Sequence, residues 1–189
     1  MKIIKKMPGF KYYSLAEILK RLAWINFGAL VFKLIPRHFY FIRMVILKFF
    51  GAHLMGNIKV FPSVKIIHPW LLEIGSNSVV SWNVNIYNLA KLKIGNNTII
   101  SQNVHLCGGT HDYKSPGFEL QRCEIIIGNN VWIAADAFIG PNVTIGDNSI
   151  IGARAVCLKD VPANSIMSGN PAVKIKDFVK PQQVPNAVS

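Results

Sequence analysis

Acidic side chains are scarce in this sequence: nine Asp and Glu stand against twenty-one Lys and Arg, a net charge of +12. The shortage is uneven. Residues 1–60 hold one acid, Glu17, against eleven Lys and Arg, a surplus of +10, and the rest of the chain has a surplus of only +2. Cysteine is scarce too, and Cys107, Cys123 and Cys157 are odd in number and match no metal-ligand spacing. They indicate neither a disulfide framework nor a zinc knuckle, and a reducing compartment, the cytoplasm, fits them best. Long apolar runs are missing. The longest uncharged run of the basic third, Leu22 to Phe32, has 11 residues, and a membrane-spanning helix needs about 20. That length suits a signal peptide, but no small-x-small site follows and charge resumes at Lys33 and Arg37. At 51% hydrophobic and 16% charged residues, the chain is no disordered polymer, and one domain with an appendage is the economical reading.

In the basic third the cations are interleaved with Leu, Ile, Phe, Trp and Tyr. That mixture suits a membrane surface rather than a nucleic-acid groove, because duplex binding needs charge without an apolar face. Residues 14–35 and 38–50 are expected to form two helices, separated by Pro36, which cannot donate a helical hydrogen bond. Their apolar faces either cap the core of the main domain or lie on a membrane, and the two roles are compatible.

From Ile74 onward an apolar residue recurs every sixth position: Ile74, Val80, Ile86; Ile94, Ile100, Leu106; then Ile127, Ile133, Ile139, Ile145, Ile151 and Cys157. The fourth residue after each is always Ser, Thr, Ala or Val, and glycine often follows directly, as in "IGSN", "IGNN" and "IGDN". A helix requires spacings of three and four, and an ordinary strand a spacing of two. Period six fits a coil of short strands, each sending one large side chain inward, with a small residue in the narrow corner and Gly or Asn at positive φ. Stacked coils then satisfy one another's backbones in parallel. The register upstream of Ile74 is not clear from the pattern.

The segments "VNIYN", "THDY", "IGNNVWIAADAFIGPNVTIGDNSIIGARAV" and "LKDVPANSIMSGNPAVKI" resemble the hexapeptide-repeat acyltransferases. The resemblance is to their maltose and galactoside O-acetyltransferase branch, and within it to the colanic-acid biosynthesis acetyltransferases. It implies an all-β solenoid, a left-handed parallel β-helix with 18-residue triangular coils, a helical N-terminal segment and one extruded loop. Expected boundaries are residues 1–55 for the helical segment, 56–176 for the β-helix with its loop at 107–124, and 177–189 for a tail.

That loop breaks the rhythm: Leu106 to Ile127 is 21 residues, 15 more than one step, enough to reach about 50 Å if extended. Such an excursion adds nothing to a solenoid's stability, and chemistry is commonly mounted on loops of this kind. It carries His111, a residue type suited to take a proton from a hydroxyl near neutral pH. The resemblance makes His111 the general base, with acetyl passing directly from acetyl-coenzyme A to a sugar hydroxyl. Asp112 is a further candidate, although adjacent side chains diverge and a backbone carbonyl is an alternative orienter of the imidazole. Asn85 matches a position that contacts the acceptor sugar and is otherwise a corner asparagine; His105, just before inward Leu106, is a second acceptor-side candidate. Cys107 allows a covalent acyl-enzyme, against which direct transfer in the resembling family and the usual packing of free cysteines both weigh.

For the coenzyme, Trp132 precedes inward Ile133 and so faces out. The resemblance places it beside acetyl-coenzyme A, with backbone groups of Ala134, Ala135 and Ala153. Arg154, Lys159, Lys174 and Lys176 cluster near the C-terminal coils, and Lys159 and Lys174 match the coenzyme-binding tail. No metal is expected on this reading. A homotrimer with sites between subunits is implied, acting on an exopolysaccharide or its lipid-linked precursor, in the cytoplasm and peripherally at the inner membrane face through residues 1–55, with no role for nucleic acid. Two alternatives stay open: an N-acetyltransferase of an amino sugar, and a zinc hydratase like the gamma carbonic anhydrases using His68, His105 and His111. A scaffold without catalysis is a third.

Overall fold

The computed structural model describes residues 14–179. The first thirteen residues, with Lys2, Lys5, Lys6 and Lys11, and most of the expected tail lie outside the described residues. The helical segment comprises α1 (Leu15–Ala23), one π-helical turn (Trp24–Gly28), α2 (Ala29–Leu34) and α3 (Tyr40–Phe49). Ser14 caps α1 by accepting from Glu17 N. The break between α2 and α3 falls at Pro36, as the sequence requires.

The rest is a parallel β-solenoid of about six turns with three faces. Each turn places one short strand on each face, and equivalent strands pair in parallel: Leu54 with Ile74, Ile94, Ile127 and Ile145 on the first; Val60 with Val80, Ile100, Ile133, Ile151 and Met167 on the second; Ile66 with Ile86, Leu106, Ile139 and Cys157 on the third. The first coil therefore starts at His53–Leu54, slightly before the expected boundary at 56. All twelve inward residues read from the period are at most 2% exposed. Stacking these side chains in one column is the main source of burial.

The corners narrow the expectation of Gly or Asn at positive φ to Asn and its equivalents. Positive φ falls three residues after nine of the twelve inward residues, at Asn77, Asn83, Asn97, Asn103, Asn130, Asp136, Asn142, Asn148 and Arg154, and not after Ile86, Leu106 or Cys157. The glycines of the "IG" pairs do not adopt it. They are there for close approach: a Cβ on Gly75 would lie 2.5 Å from Asn96 Oδ1 and 2.6 Å from the carbonyl carbon of Gly95 in the next coil. Buried hydroxyls tie neighbouring coils at the same corner, Ser78 Oγ donating to Gly95 O and Thr98 Oγ1 to Gly128 O. The small fourth residues are buried as expected except Ala90 and Thr110, which fall on the edge between the third and first faces. That edge absorbs the length variation of the coils: from Ile66 to Ile74 and from Ile86 to Ile94 it takes eight residues, from Leu106 to Ile127 twenty-one, and from Ile139 to Ile145 six. At its lower end His68 is buried against Asn88, whose side chain accepts from His68 N and donates to His68 O.

The helices close the first coil. Trp24, Phe32 and Leu47 join the core, and Trp24 Nε1 donates to Ile66 O at 2.8 Å. Arg43, fully buried, donates to the carbonyls of Val60, Ile35, Pro36 and Arg37. A buried guanidinium is tolerable only when its donors are satisfied in this way, and here it fastens α3 to both the interhelical turn and the solenoid.

Candidate active site

The residues after Leu106 form a β-hairpin rather than an irregular arm. Gly109–His111 pairs antiparallel with Leu120–Arg122, and His111 stands opposite Leu120. Gly108 and Gly109 are required at its root: a Cβ on Gly108 would lie 2.9 Å from the carbonyls of Tyr87 and Cys123, and one on Gly109 would meet the rings and methyls of Tyr87 and Leu89. The tip runs through Pro116-Gly117 to Phe118, whose φ is +47, a strained value for an aromatic residue.

The strained residue contacts the candidate base. His111 is exposed, and its Nδ1 lies 2.5 Å from Phe118 O. A carbonyl oxygen can only accept, so Nδ1 carries the hydrogen of this bond. In the neutral ring Nε2 is then the open lone pair. Of the two orienters that the sequence left open, the carbonyl is the one in place. Asp112 instead accepts from Lys114 N, closing a local turn at the start of the tip. The sequence signal for this arrangement was the Pro-Gly turn; nothing in residue type pointed to Phe118, because the contributing atom belongs to the main chain.

Asn85 and His105 are brought together on the third face, in register with each other and with Phe138. Asn85 Nδ2 lies 3.3 Å from His105 Nε2, and the imidazole packs edge-on to Phe138 with ring centroids 5.3 Å apart. Burial pushes the His105 imidazole below the usual histidine range. The strand of His105 leads directly into the hairpin that carries His111. Cys107, half-buried, donates to Gly109 O at 3.3 Å. Cys157 is one of the inward column, its thiol pushed up to about 11 by burial, a small hydrophobe as expected of a free cysteine.

The zinc arrangement is not assembled. His68 is buried with Nδ1 2.9 Å from Asn88 O, His105 meets Asn85, and His111 meets Phe118. Among the described residues no group of three or more His, Cys, Asp and Glu could hold a metal ion.

The candidate coenzyme residues fall into two groups. Trp132 is exposed on the second face and donates through Nε1 to Ser101 Oγ at 3.1 Å. Ala134 and Ala135 follow it at the next corner, where Arg154 N donates to Ala135 O, bringing Ala153 alongside. Ala134 N is committed to Ile151 O, so any ligand there would have to use the Ala134 carbonyl, the Ala135 N–H or groups of Ala153. Lys159 and Lys174 instead line a cavity of about 390 Å³ with Leu158, Met167, Pro171 and Val173. Lys174 Nζ is held 2.6 Å from Asp177 Oδ1, an exposed pair of the kind that contributes little and yields readily to a stronger anion. Asp160 lines the cavity as well, its Oδ1 accepting from Thr144 N, and a mostly apolar lining with two lysines suits a ligand with a lipophilic arm and phosphates. The hairpin leaves the edge between the third and first faces, whereas Trp132 stands on the second, so one chain carries the imidazole and the tryptophan on different sides of the solenoid.

Residues 124–159 match the family model for the bacterial transferase hexapeptide, six repeats. A protein of Escherichia coli (strain K12) named as a candidate colanic acid biosynthesis acetyltransferase is 40% identical over 180 residues, 94% of this chain and 99% of its own length. The galactoside O-acetyltransferase of the same organism is 44% identical over 68 residues, 36% of this chain and 33% of its own. Among solved structures, a galactoside acetyltransferase in complex with coenzyme A superposes with TM-score 0.82 at 29% identity, covering 92% of each chain. A maltose O-acetyltransferase from Clostridium difficile 630 superposes with TM-score 0.79 at 26% identity, covering 89% of this chain and 92% of its own.

Proposed function

The chain belongs to the hexapeptide-repeat transferase family, among its acetyltransferases, and from that membership we propose that it transfers acetyl from acetyl-coenzyme A to a hydroxyl of an exopolysaccharide unit or its lipid-linked precursor. The observation that carries the reading is the bond from His111 Nδ1 to Phe118 O, because it presents a basic Nε2 from the hairpin. The acceptor hydroxyl gives its proton to Nε2 as its oxygen attacks the thioester carbonyl. The carbon–sulfur bond then breaks, and the leaving thiolate recovers the proton from the imidazolium, so the products are an acetyl ester and coenzyme A and the histidine is regenerated. Asn85 and His105 flank the acceptor side, with Asp112 shaping the hairpin. Trp132, the backbone at Ala134, Ala135 and Ala153, and Lys159 and Lys174 hold the coenzyme. The cavity of about 390 Å³ with its two lysines supports that assignment.

A homotrimer with the site between subunits accounts for the separation of hairpin and Trp132 within one chain: the imidazole of one subunit then serves the coenzyme held on another. The test is an acceptor screen with acetyl-coenzyme A, reading the mass gain of one acetyl group on a saccharide. Transfer to a saccharide hydroxyl that is lost in His111→Ala, with coenzyme binding retained, is the expected result. Undiminished transfer by His111→Ala would overturn the mechanism, and coenzyme A failing to bind would overturn the activity.

A further inference from the structure

α1 is inside out for a helix on the surface of a soluble protein. Leu15, Ile18, Leu19 and Leu22 recur at intervals that place them on one face, and they are 74%, 41%, 58% and 52% exposed. No residue of α1 is buried, and its only half-buried ones are the charged Glu17 and Arg21, paired with each other. Lys20 lies on the protein side as well, with Nζ 4.8 Å from the ring centroid of Trp70. The polar face is turned to the body and the apolar face to the outside. α3 repeats the pattern more weakly: Arg43 and Leu47 anchor it, while Phe41, Val45 and Phe49, four residues apart, are outward. Fifteen of the twenty-five exposed large hydrophobics among the described residues fall between Leu15 and Met55. A concentration of that size in one segment marks an interaction surface.

Charge selects the occupant. The exposed cations Lys33, Arg37 and Lys48 lie in the same helical segment as these apolar faces, and the acid of this region, Glu17, is already paired with Arg21. A second copy of the chain docked here would bring together two segments that each carry a surplus of +10. An anionic lipid surface offers the opposite charge together with an apolar interior. No helix among the described residues is long and apolar enough to cross a membrane, so the contact is one of helices lying in the interface.

We propose that the outward faces of α1 and α3, with their cations, dock this protein on the surface of an anionic lipid bilayer. The inference is independent of the acetyltransferase reading, since docking requires neither acetyl donor nor acceptor. The purified full chain is sedimented with phosphatidylcholine vesicles and with vesicles containing about a third phosphatidylglycerol. The expected result is at least tenfold stronger partition to the anionic vesicles, lost at about 1 M salt, where the screening length falls to about 3 Å. Leu19→Ser and Phe49→Ser each remove an exposed side chain, and each is expected to weaken partition roughly tenfold with an unchanged thermal midpoint. Lys33→Gln with Lys48→Gln is expected to weaken it further and to flatten the salt dependence. Equal partition to both vesicle types, or none to either, overturns the proposal. So does an assembly that falls apart in Leu19→Ser or Phe49→Ser without any vesicle binding, which would make this face a contact between copies. The lipid and salt arms use the unaltered protein and decide the matter even if a variant fails to fold.

Discussion

Replacing Phe118 by proline isolates what the carbonyl does for His111. Proline fixes φ near −65°, whereas Phe118 sits at +47, so the oxygen 2.5 Å from His111 Nδ1 must swing away. The Phe118 N–H bond to Ser115 O is lost as well. One hydrogen bond of this kind contributes about 0.5–1.5 kcal/mol net. As a bias on the productive tautomer and ring orientation, that is a factor of about 2 to 13 in the population ready to act. Phe118→Pro should therefore lower kcat by about 2- to 13-fold while leaving the KM for acetyl-coenzyme A unchanged. His111→Ala removes the proposed base itself and should cost about 10² to 10⁴ in kcat, or about 2.7–5.4 kcal/mol of barrier. Phe118→Gly is the control: glycine adopts positive φ freely, and the side chain is 60% exposed, so kcat should stay within about twofold. The assay is steady-state release of free thiol, with thermal midpoints in parallel. Those midpoints should hardly move, because the hairpin lies outside the inward column. Wild-type kcat in Phe118→Pro would refute the carbonyl's role, and equal losses in the proline and alanine variants would refute the separation of base from orienter.

A methyl on Gly95 would stand 2.5 Å from the carbonyl carbon of Gly128 and 2.7 Å from Asn129 N; Gly95→Ala should cost about 1–3 kcal/mol in denaturant unfolding, whereas Gly117→Ala, facing only the mobile end of Glu119, should stay within about 0.5 kcal/mol. Burial holds the His68 imidazole below its ordinary value of 6.5, an effect that the Asn88 carbonyl partly offsets; the unfolded chain then binds the proton at higher pH than the folded one, so stability should fall as pH drops below about 6.5. In His68→Gln that part of the acid slope should disappear from thermal midpoints taken across the range. Trp132→Ala and Lys174→Ala should each raise the KM for acetyl-coenzyme A roughly tenfold, about 1.4 kcal/mol, at near-constant kcat; a loss confined to kcat would argue against a binding role for either.

The solenoid was legible in the sequence because the period states which side chains enter the column, and burial enforces that choice at every rung. Hence Ile74 to Cys157 could be placed one by one. The period does not say which backbone carries the bend: Gly and Asn were both expected there, and the asparagines take it, whereas the glycines answer to the closeness of the next coil, which one coil's sequence does not contain. The candidate base was legible as a lone histidine where the rhythm breaks. Its partner was not, since a carbonyl oxygen has no residue type, and Asp112, the neighbour with a suggestive side chain, turns to Lys114 N instead. The helices were found with their break at Pro36, yet an apolar stripe reads the same whether it faces a core or the outside. Only the burial of Glu17 and Arg21 in place of Leu19 and Leu22 shows which way α1 is turned.

Confining all changes of coil length to one edge divides the molecule into parts that answer to separate demands. The rungs on the three faces must keep their six-residue steps, because an added residue would rotate every side chain beyond it out of the column. The edge between the third and first faces already accommodates steps of six, eight and twenty-one residues without disturbing that register. The hairpin between Gly109 and Arg122 can accordingly be rebuilt around the pairing of His111 with Phe118 while every rung of the three faces stays where it is.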